Sequence, residues 1–320
     1  MTSSRPSDRT MELERAFGSR LLRDEPLARH CWLEVGGPAD LFLAVLSRTE
    51  LERAVTLAGG TGLPLLVLGK GANVLPSDAG VRGLVIRNVA SAVQFERRDM
   101  LVTAESGASM QGLARRLARE GIGGLEWGTG IPGTVGGATV NNAGAHGSCV
   151  ADVLESSTTI DATGTVRDRP AATLDYQYRK SALKGSQEGP PRLHEIVLAS
   201  TFRLYQDDPH TMQERIAVWA EERRQRQPLR AASAGSFFKN PPGDYAGRLI
   251  EAAGLKGLTC GGAQVATLHG NFLTNAGGAT ATDVYRLGQE VRARVQDSTG
   301  ISLHMEVEMV GDWSAILHPS

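Results

Sequence analysis

Residues 128–147 read GTGIPGTVGGATVNNAGAHG, twenty residues with seven glycines and no Asp, Glu, Lys or Arg. Such a run buries little side chain, and each glycine costs conformational entropy when it is ordered. Its use therefore lies in bare backbone. Amides presented without Cβ shielding form concave nests that hold phosphate or pyrophosphate oxygens. The run points to a bound ligand of nucleotide type.

Gly128, Gly130 and Gly133 match G-x-G-x-x-G letter for letter. That fingerprint requires a strand before it and a helix opening within it. Pro132 removes one amide and pushes Ile131 toward extended backbone. The continuation TVGGATVNN, with adjacent glycines and β-branched residues, predicts strand or coil instead of helix. An ordinary Rossmann site is therefore not expected. A plain structural turn is the simpler alternative, against which the density and length of the run argue.

The 320 residues allow two or three domains with proper cores. Thirty-four basic residues balance 35 acidic ones, so overall charge favours neither nucleic acid nor an anionic membrane. The three cysteines, Cys31, Cys149 and Cys260, are far apart and fit buried apolar positions in a reducing compartment. No apolar stretch approaches the ~18–20 residues of a membrane span, and MTSSRPSDRTMELER lacks a signal-peptide core. A cytosolic globular protein is expected. The seven histidines fall at no metal-binding spacing, so no metal site is expected.

Residues 1–19 are predicted to be poorly ordered. Thr49 and Glu52 read as a capping box for a short helix burying Leu51, Val55 and Ala58, stopped by Gly59-Gly60. LPLLVLG (63–69) is a strand ending in a second glycine loop, GKGANVL (69–75), and GLVIRN (83–88) and LVTAES (101–106) are further strands. Ser109 opens a helix with Leu113 and Leu117 inward, closed by Gly121. Residues 150–205 are strand-rich, with EIVLASTFRL (195–204) the clearest strand. A helix with Met212, Ile216 and Trp219 on one stripe precedes the polar boundary EERRQRQPLRAAS (221–233). Helices near 246–253 and through Val284, Leu287, Val291 and Val295 follow, then a strand over 301–310. The expected domains are 20–90, 91–208 and 209–320.

Three side chains could carry chemistry, although each has a plainer reading when taken alone. Ser236 lies in SAGSFFKN (233–240), with no Gly-x-Ser-x-Gly elbow and no histidine nearby in sequence. As a hydroxyl donor it would protonate only a strong base such as a carbanion or enolate; the plainer reading is a turn serine. Arg179, in YRKS (178–181), suits a carboxylate or a developing enolate, or is simply a surface arginine. Glu306 alternates with His304 and Glu308, which puts all three on one strand face, or on the solvated side of an edge strand. Lys70 reads as an exposed loop lysine.

Taken together, the blocks VGGPADLF (35–42), LGKGANVL (68–75), GIPGTVGGATVNNAGAHG (130–147), YRKS (178–181), SAGSFFKNP (233–241) and AGRLIEAAGLKG…GGAQV (246–265), with the closing EVEMVG, resemble the UDP-N-acetylenolpyruvoylglucosamine reductase family. The resemblance runs from about residue 20 to 311. It implies the α+β FAD-binding fold of the vanillyl-alcohol oxidase-like flavoenzymes, with two FAD-binding subdomains and a C-terminal substrate domain. It also implies that NADPH reduces FAD and that reduced FAD reduces the enolpyruvyl group of UDP-N-acetylglucosamine enolpyruvate. By the same resemblance Ser236 is the proton donor, and Arg179 and Glu306 stabilise the enolate. FAD contacts are implied at Gly69, Gly71, Ala72, Asn73, Val74 and Leu75 in one loop. In the other they fall at Gly130, Ile131, Gly133, Thr134, Gly137, Asn141, Ala143 and Gly144. Tyr178, Lys239 and Asn240 correspond to substrate contacts.

SAGSFFKNPPGDYAGRLIEAAGLKG resembles the shorter structural type of the family, which lacks a substrate-capping loop. Cys31, Ala72 and His304 depart from the residues usual there. The competing readings are another oxidoreductase of the same fold, acting on alcohols or hydroxy acids, and a flavin- or nucleotide-binding module without catalysis. The set Arg179, Ser236 and Glu306 discriminates among them.

Overall fold

The computed structural model describes residues 6–184 and 195–317. The chain forms two compact units interleaved in sequence. One holds Met1–Arg23, Asp40–Gly69 and Gly83–Ala220, the other Asp24–Ala39, Lys70–Arg82 and Glu221–Ser320.

The first unit contains a four-stranded sheet in the order Leu21–Pro26, Pro38–Val45, Val81–Asn88, Leu65–Leu68, the last two parallel. Helix Arg48–Thr61 lies between two of these strands in sequence and buries Leu51, Ala54, Val55 and Ala58. Its N-cap is Ser47, whose hydroxyl accepts from Glu50 N at 3.2 Å, and Gly62 ends it at φ +65°. The expected Thr49–Glu52 box is thus displaced, and Gly59 lies inside the helix instead of stopping it. A Cβ at Gly59 would sit 1.7 Å from the carbonyl oxygen of Ala162, so close backbone approach selects glycine there.

A five-stranded antiparallel sheet follows, ordered Val166–Pro170, Leu154–Ile160, Ile196–Arg203, Leu101–Glu105, Val93–Glu96. Helix Met110–Arg119 opens at Ser109, as its sequence predicts, and packs Leu113 and Leu117 into a core with Val102, Trp127 and Phe202. Each such burial contributes roughly 1.5–3 kcal/mol. Ile160, Ile196 and Leu198 join Leu43, Leu84 and Ile86 in a second core. Residues on both sides of position 90 therefore share one hydrophobic cluster.

Two expectations are corrected in this unit. Pro6–Phe17 is a helix, not a poorly ordered tail, because Leu13 and Phe17, four residues apart, enter the second core. Helix Pro209–Arg226 runs six residues into the stretch expected to be a linker. Its Trp219 stacks on His146, with ring centroids 4.3 Å apart.

The second unit has an antiparallel sheet ordered Ala232–Ser236, Phe272–Asn275, Ala263–Val265, Thr259–Cys260. Helix Ala281–Thr299 buries Val284, Leu287, Val291 and Val295 on one stripe, as its periodicity predicts. Asp78 accepts from the amides of Ala281 and Thr282 at its N-terminus, both at 2.8 Å. That contact ties segment 70–82 to this unit. The expected strand over 301–310 is regular only at Glu308–Val310, which pairs in parallel with Val74–Pro76. Among the described residues no helix is long and apolar enough to cross a membrane.

Candidate active site

In the first unit the glycine run begins in a 3₁₀ turn, Glu126–Gly130, and then forms a short helix, Val135–Val140. The helix replaces the strand or coil that its composition predicts. Three local features override the low propensity of its residues. Thr134 caps it by accepting from Gly137 N at 3.3 Å, Gly136 donates to Ser106 O at 2.8 Å, and Val135 and Ala138 are buried. A Cβ at Gly136 would come within 2.7 Å of Ser106 Cβ, so the helix can seat only with glycine there. Because a 3₁₀ turn and not a strand precedes it, the run is not the Rossmann arrangement.

The amides of Gly133 and Thr134 have no acceptor among the described residues. They are consecutive donors, and a Cβ placed on Gly133 meets nothing within 4 Å. Gly69, which follows strand Leu65–Leu68 and opens the other glycine loop, packs against the same point. Its Cβ would fall 2.6 Å from Thr134 Oγ1. Gly69 thus packs beside two amides that lack acceptors among the described residues, a donor set suited to a pyrophosphate. Gly130, Ile131 and Gly137 belong to the same stretch, although Gly137 has its amide committed to Thr134.

The far end of the run holds Arg179. This residue sits at φ +56° in the turn between Gln177 and Lys180, and its guanidinium donates to the carbonyls of Asn142 at 3.4 Å and Gly144 at 3.3 Å. The exposed ring of Tyr178 lies against it, with its centroid 5.3 Å away. The turn is laced to the run by several further bonds. Tyr176 Oη donates to Thr139 O (3.1 Å), Ser181 Oγ to Val140 O (2.6 Å) and Lys184 Nζ to Asn141 Oδ1 (2.7 Å). Burial pushes the Tyr176 phenol well above its usual value, keeping it a donor. Ala143 bonds Ala138 O through its amide.

Asn142 is a bracing position that motif reading misses. Its buried carboxamide donates to Gln177 O and accepts from Ala151 N, both at 3.0 Å, at φ +43°. A left-handed backbone favours asparagine over most residues, and that is the available signal.

In the second unit Gly71 holds φ +65° and its carbonyl accepts from Trp32 N at 3.0 Å. Ala72 and Asn73 lead into strand Val74–Pro76. Leu75 is fully buried in the core of this unit and its backbone pairs with Met309, so the residue supports the loop from behind.

Ser236 ends strand Ala232–Ser236 after an irregularity in register opposite Phe272, with Gly235 at φ +76°. The next residues are clamped from both sides. Phe237 O accepts from Glu306 N at 2.8 Å, and Lys239 N donates to His304 O at 2.8 Å. The Ser236 and Glu306 segments are therefore neighbours, joined by a direct backbone bond. Glu306 does not share a regular strand face with His304 and Glu308, as alternation suggests, because regular pairing starts only at Glu308 and residue 305 makes a single bridge to Phe238. Asn240 accepts from Ala246 N at 3.1 Å, which commits its carbonyl oxygen to helix Ala246–Ala252. Lys239 is half-buried.

On the other side, buried Asn271 presents its carboxamide as a peptide mimic: Oδ1 accepts from Phe238 N (2.9 Å) and Nδ2 donates to Phe238 O (2.8 Å). Nothing in the sequence marks this residue, since its partner is 33 positions away. Asn271→Leu strands two buried backbone groups and is expected to lower unfolding stability by about 2–4 kcal/mol. Urea denaturation reads it, and a loss below about 0.5 kcal/mol would show the clamp to be dispensable.

Residues 39–169 match the FAD binding domain family model, and residues 227–310 match the UDP-N-acetylenolpyruvoylglucosamine reductase C-terminal domain model. The curated UDP-N-acetylenolpyruvoylglucosamine reductase of Moorella thermoacetica is 42% identical over 302 residues, 94% of this chain and 97% of its own. That of Rubrobacter xylanophilus is 45% identical over 289 residues, 90% of this chain and 95% of its own. The crystal structure of UDP-N-acetylenolpyruvylglucosamine reductase from Thermus caldophilus aligns with a TM-score of 0.75 at 36% identity, covering 91% of this chain and 99% of that one. The family model and the structural alignment define an FAD-dependent flavoprotein of the vanillyl-alcohol oxidase-like type. Within that class, the chain belongs to the UDP-N-acetylenolpyruvoylglucosamine reductase family.

Proposed function

We propose that this protein catalyses the NADPH-dependent reduction of UDP-N-acetylglucosamine enolpyruvate to UDP-N-acetylmuramate in the cytoplasm, a step of peptidoglycan precursor synthesis. The observation that carries the reading is the Phe237–Glu306 backbone bond, which sets a hydroxyl and a carboxyl on adjoining segments. FAD held at the Gly133 and Thr134 amides would supply the hydride chemistry that links NADPH to the methylene carbon of the enolpyruvyl group. The adjacent carbon is left as an enolate of the carboxylate.

Ser236 gives its hydroxyl proton to that carbon and is reprotonated from solvent. Only a base as strong as an enolate takes a proton from so weak an acid. Arg179 holds the substrate carboxylate with a fork that its two carbonyl partners orient. Glu306 stabilises the enolate through its carboxyl group. Tyr178, Lys239 and Asn240 contact the sugar diphosphate. Residues 20–90 and 91–208 serve as the FAD-binding subdomains, and 209–320 as the substrate domain.

The test is anaerobic and visual. Purified protein is expected to be yellow and to bleach with NADPH, and the enolpyruvyl nucleotide should restore the colour with formation of the muramate. Colour restored by neither this nucleotide nor a close analogue, in a protein reduced by an alcohol or a hydroxy acid, would contradict the reading in favour of an oxidase of the same fold.

A further inference from the structure

Asn73 stands in the glycine loop, where the sequence marks it only as a cofactor contact. Its side chain faces a different task. Nδ2 donates to the carbonyl of Glu306 at 3.2 Å, and its own main-chain carbonyl accepts from Glu308 N at 3.0 Å. The parallel pairing of Val74–Pro76 with Glu308–Val310 begins at the next residue. On its other side Glu306 is already bonded, N–H to Phe237 O. The Glu306 backbone is therefore bracketed, with its N–H fixed to the serine segment and its C=O to the glycine loop.

We propose that Asn73 is a positioning residue for Glu306, setting the depth and direction of that carboxyl relative to Ser236. The inference rests on the reading of Glu306 as an enolate-stabilising group. A carboxamide at this position both reaches the carbonyl and donates to it. An ionised aspartate would oppose oxygen to oxygen, and alanine would leave the carbonyl to water. Misplacing a reacting group by about 1 Å can cost on the order of a hundredfold in rate. A residue marked for cofactor contact thus also sets the acid.

The experiment compares Asn73→Ala and Asn73→Asp with the unmodified FAD-loaded protein in stopped flow, counting rates per bound flavin. Reoxidation by the enolpyruvyl nucleotide should fall at least about tenfold further than bleaching by NADPH. The loss should lie in kcat more than in KM, and the pH profile of reoxidation should shift. Equal losses in both half-reactions, with an unmoved pH profile, would overturn the proposal and leave Asn73 a cofactor ligand. Amide hydrogen exchange over residues 304–310 reads the bracket without substrate. Faster exchange in Asn73→Ala is expected, and unchanged exchange would also overturn it. If the unmodified protein itself is not reoxidised by this nucleotide, the proposed function fails, while the exchange measurement still decides the bracket.

Discussion

Ser236→Ala is expected to bleach with NADPH yet to reoxidise with the enolpyruvyl nucleotide about 10²–10⁴-fold more slowly than the unmodified protein. The two half-reactions separate because hydride uptake from NADPH needs no proton at the site Ser236 serves. Reduction of the enolpyruvyl group does. The fold of the variant should survive, since Ser236 is the half-buried last residue of its strand and its backbone pairing with Phe272 does not involve the hydroxyl. Rapid mixing under anaerobic conditions measures both rates on one sample. Normal turnover would show that the proton comes from elsewhere, and the next candidate would be Glu306, its neighbour through Phe237.

Gly71→Val is expected to abolish flavin binding and to lower unfolding stability by more than about 3 kcal/mol, a backbone cost added to a steric one. The backbone there holds φ +65°, a conformation that costs a side chain roughly 1–2 kcal/mol. Space is the greater obstacle. A Cβ would lie 2.1 Å from His30 O and 2.8 Å from Cys31 Cα, both main-chain atoms that cannot swing aside. The bond from Trp32 N to Gly71 O holds the two segments together, so relief would require breaking it. Gly243 is the matched control. It has φ +76° but nothing within 4 Å of an added Cβ, so Gly243→Ala should show only the conformational cost and keep its flavin. Flavin absorbance and thermal melts on the two variants distinguish crowding from backbone preference. Full colour in Gly71→Val would mean the turn can open.

Much of this protein is legible in its sequence where local rules suffice. The stripe Val284, Leu287, Val291, Val295 and the cap at Ser109 need only periodicity and a hydroxyl, and the structure has both. The blocks from VGGPADLF to EVEMVG carry the family. What stays hidden is what tertiary contact decides. TVGGATVNN is a helix because Gly136 seats on Ser106 and Thr134 caps the turn, neither visible in propensity. The final segment is not a full strand because Met305 makes only an isolated bridge to Phe238, which breaks the alternation around Glu306. Asn271 and Asn73 act on backbone groups 33 and 233 positions away, distances over which no spacing rule operates.

The most direct measurement is a crystal structure of the FAD-loaded protein, read at the amide nitrogens of Gly133 and Thr134. Pyrophosphate oxygens about 2.7–3.2 Å from those nitrogens are expected. A pyrophosphate that leaves both amides facing solvent, or binds away from Gly69, would contradict the account of how this chain holds its cofactor.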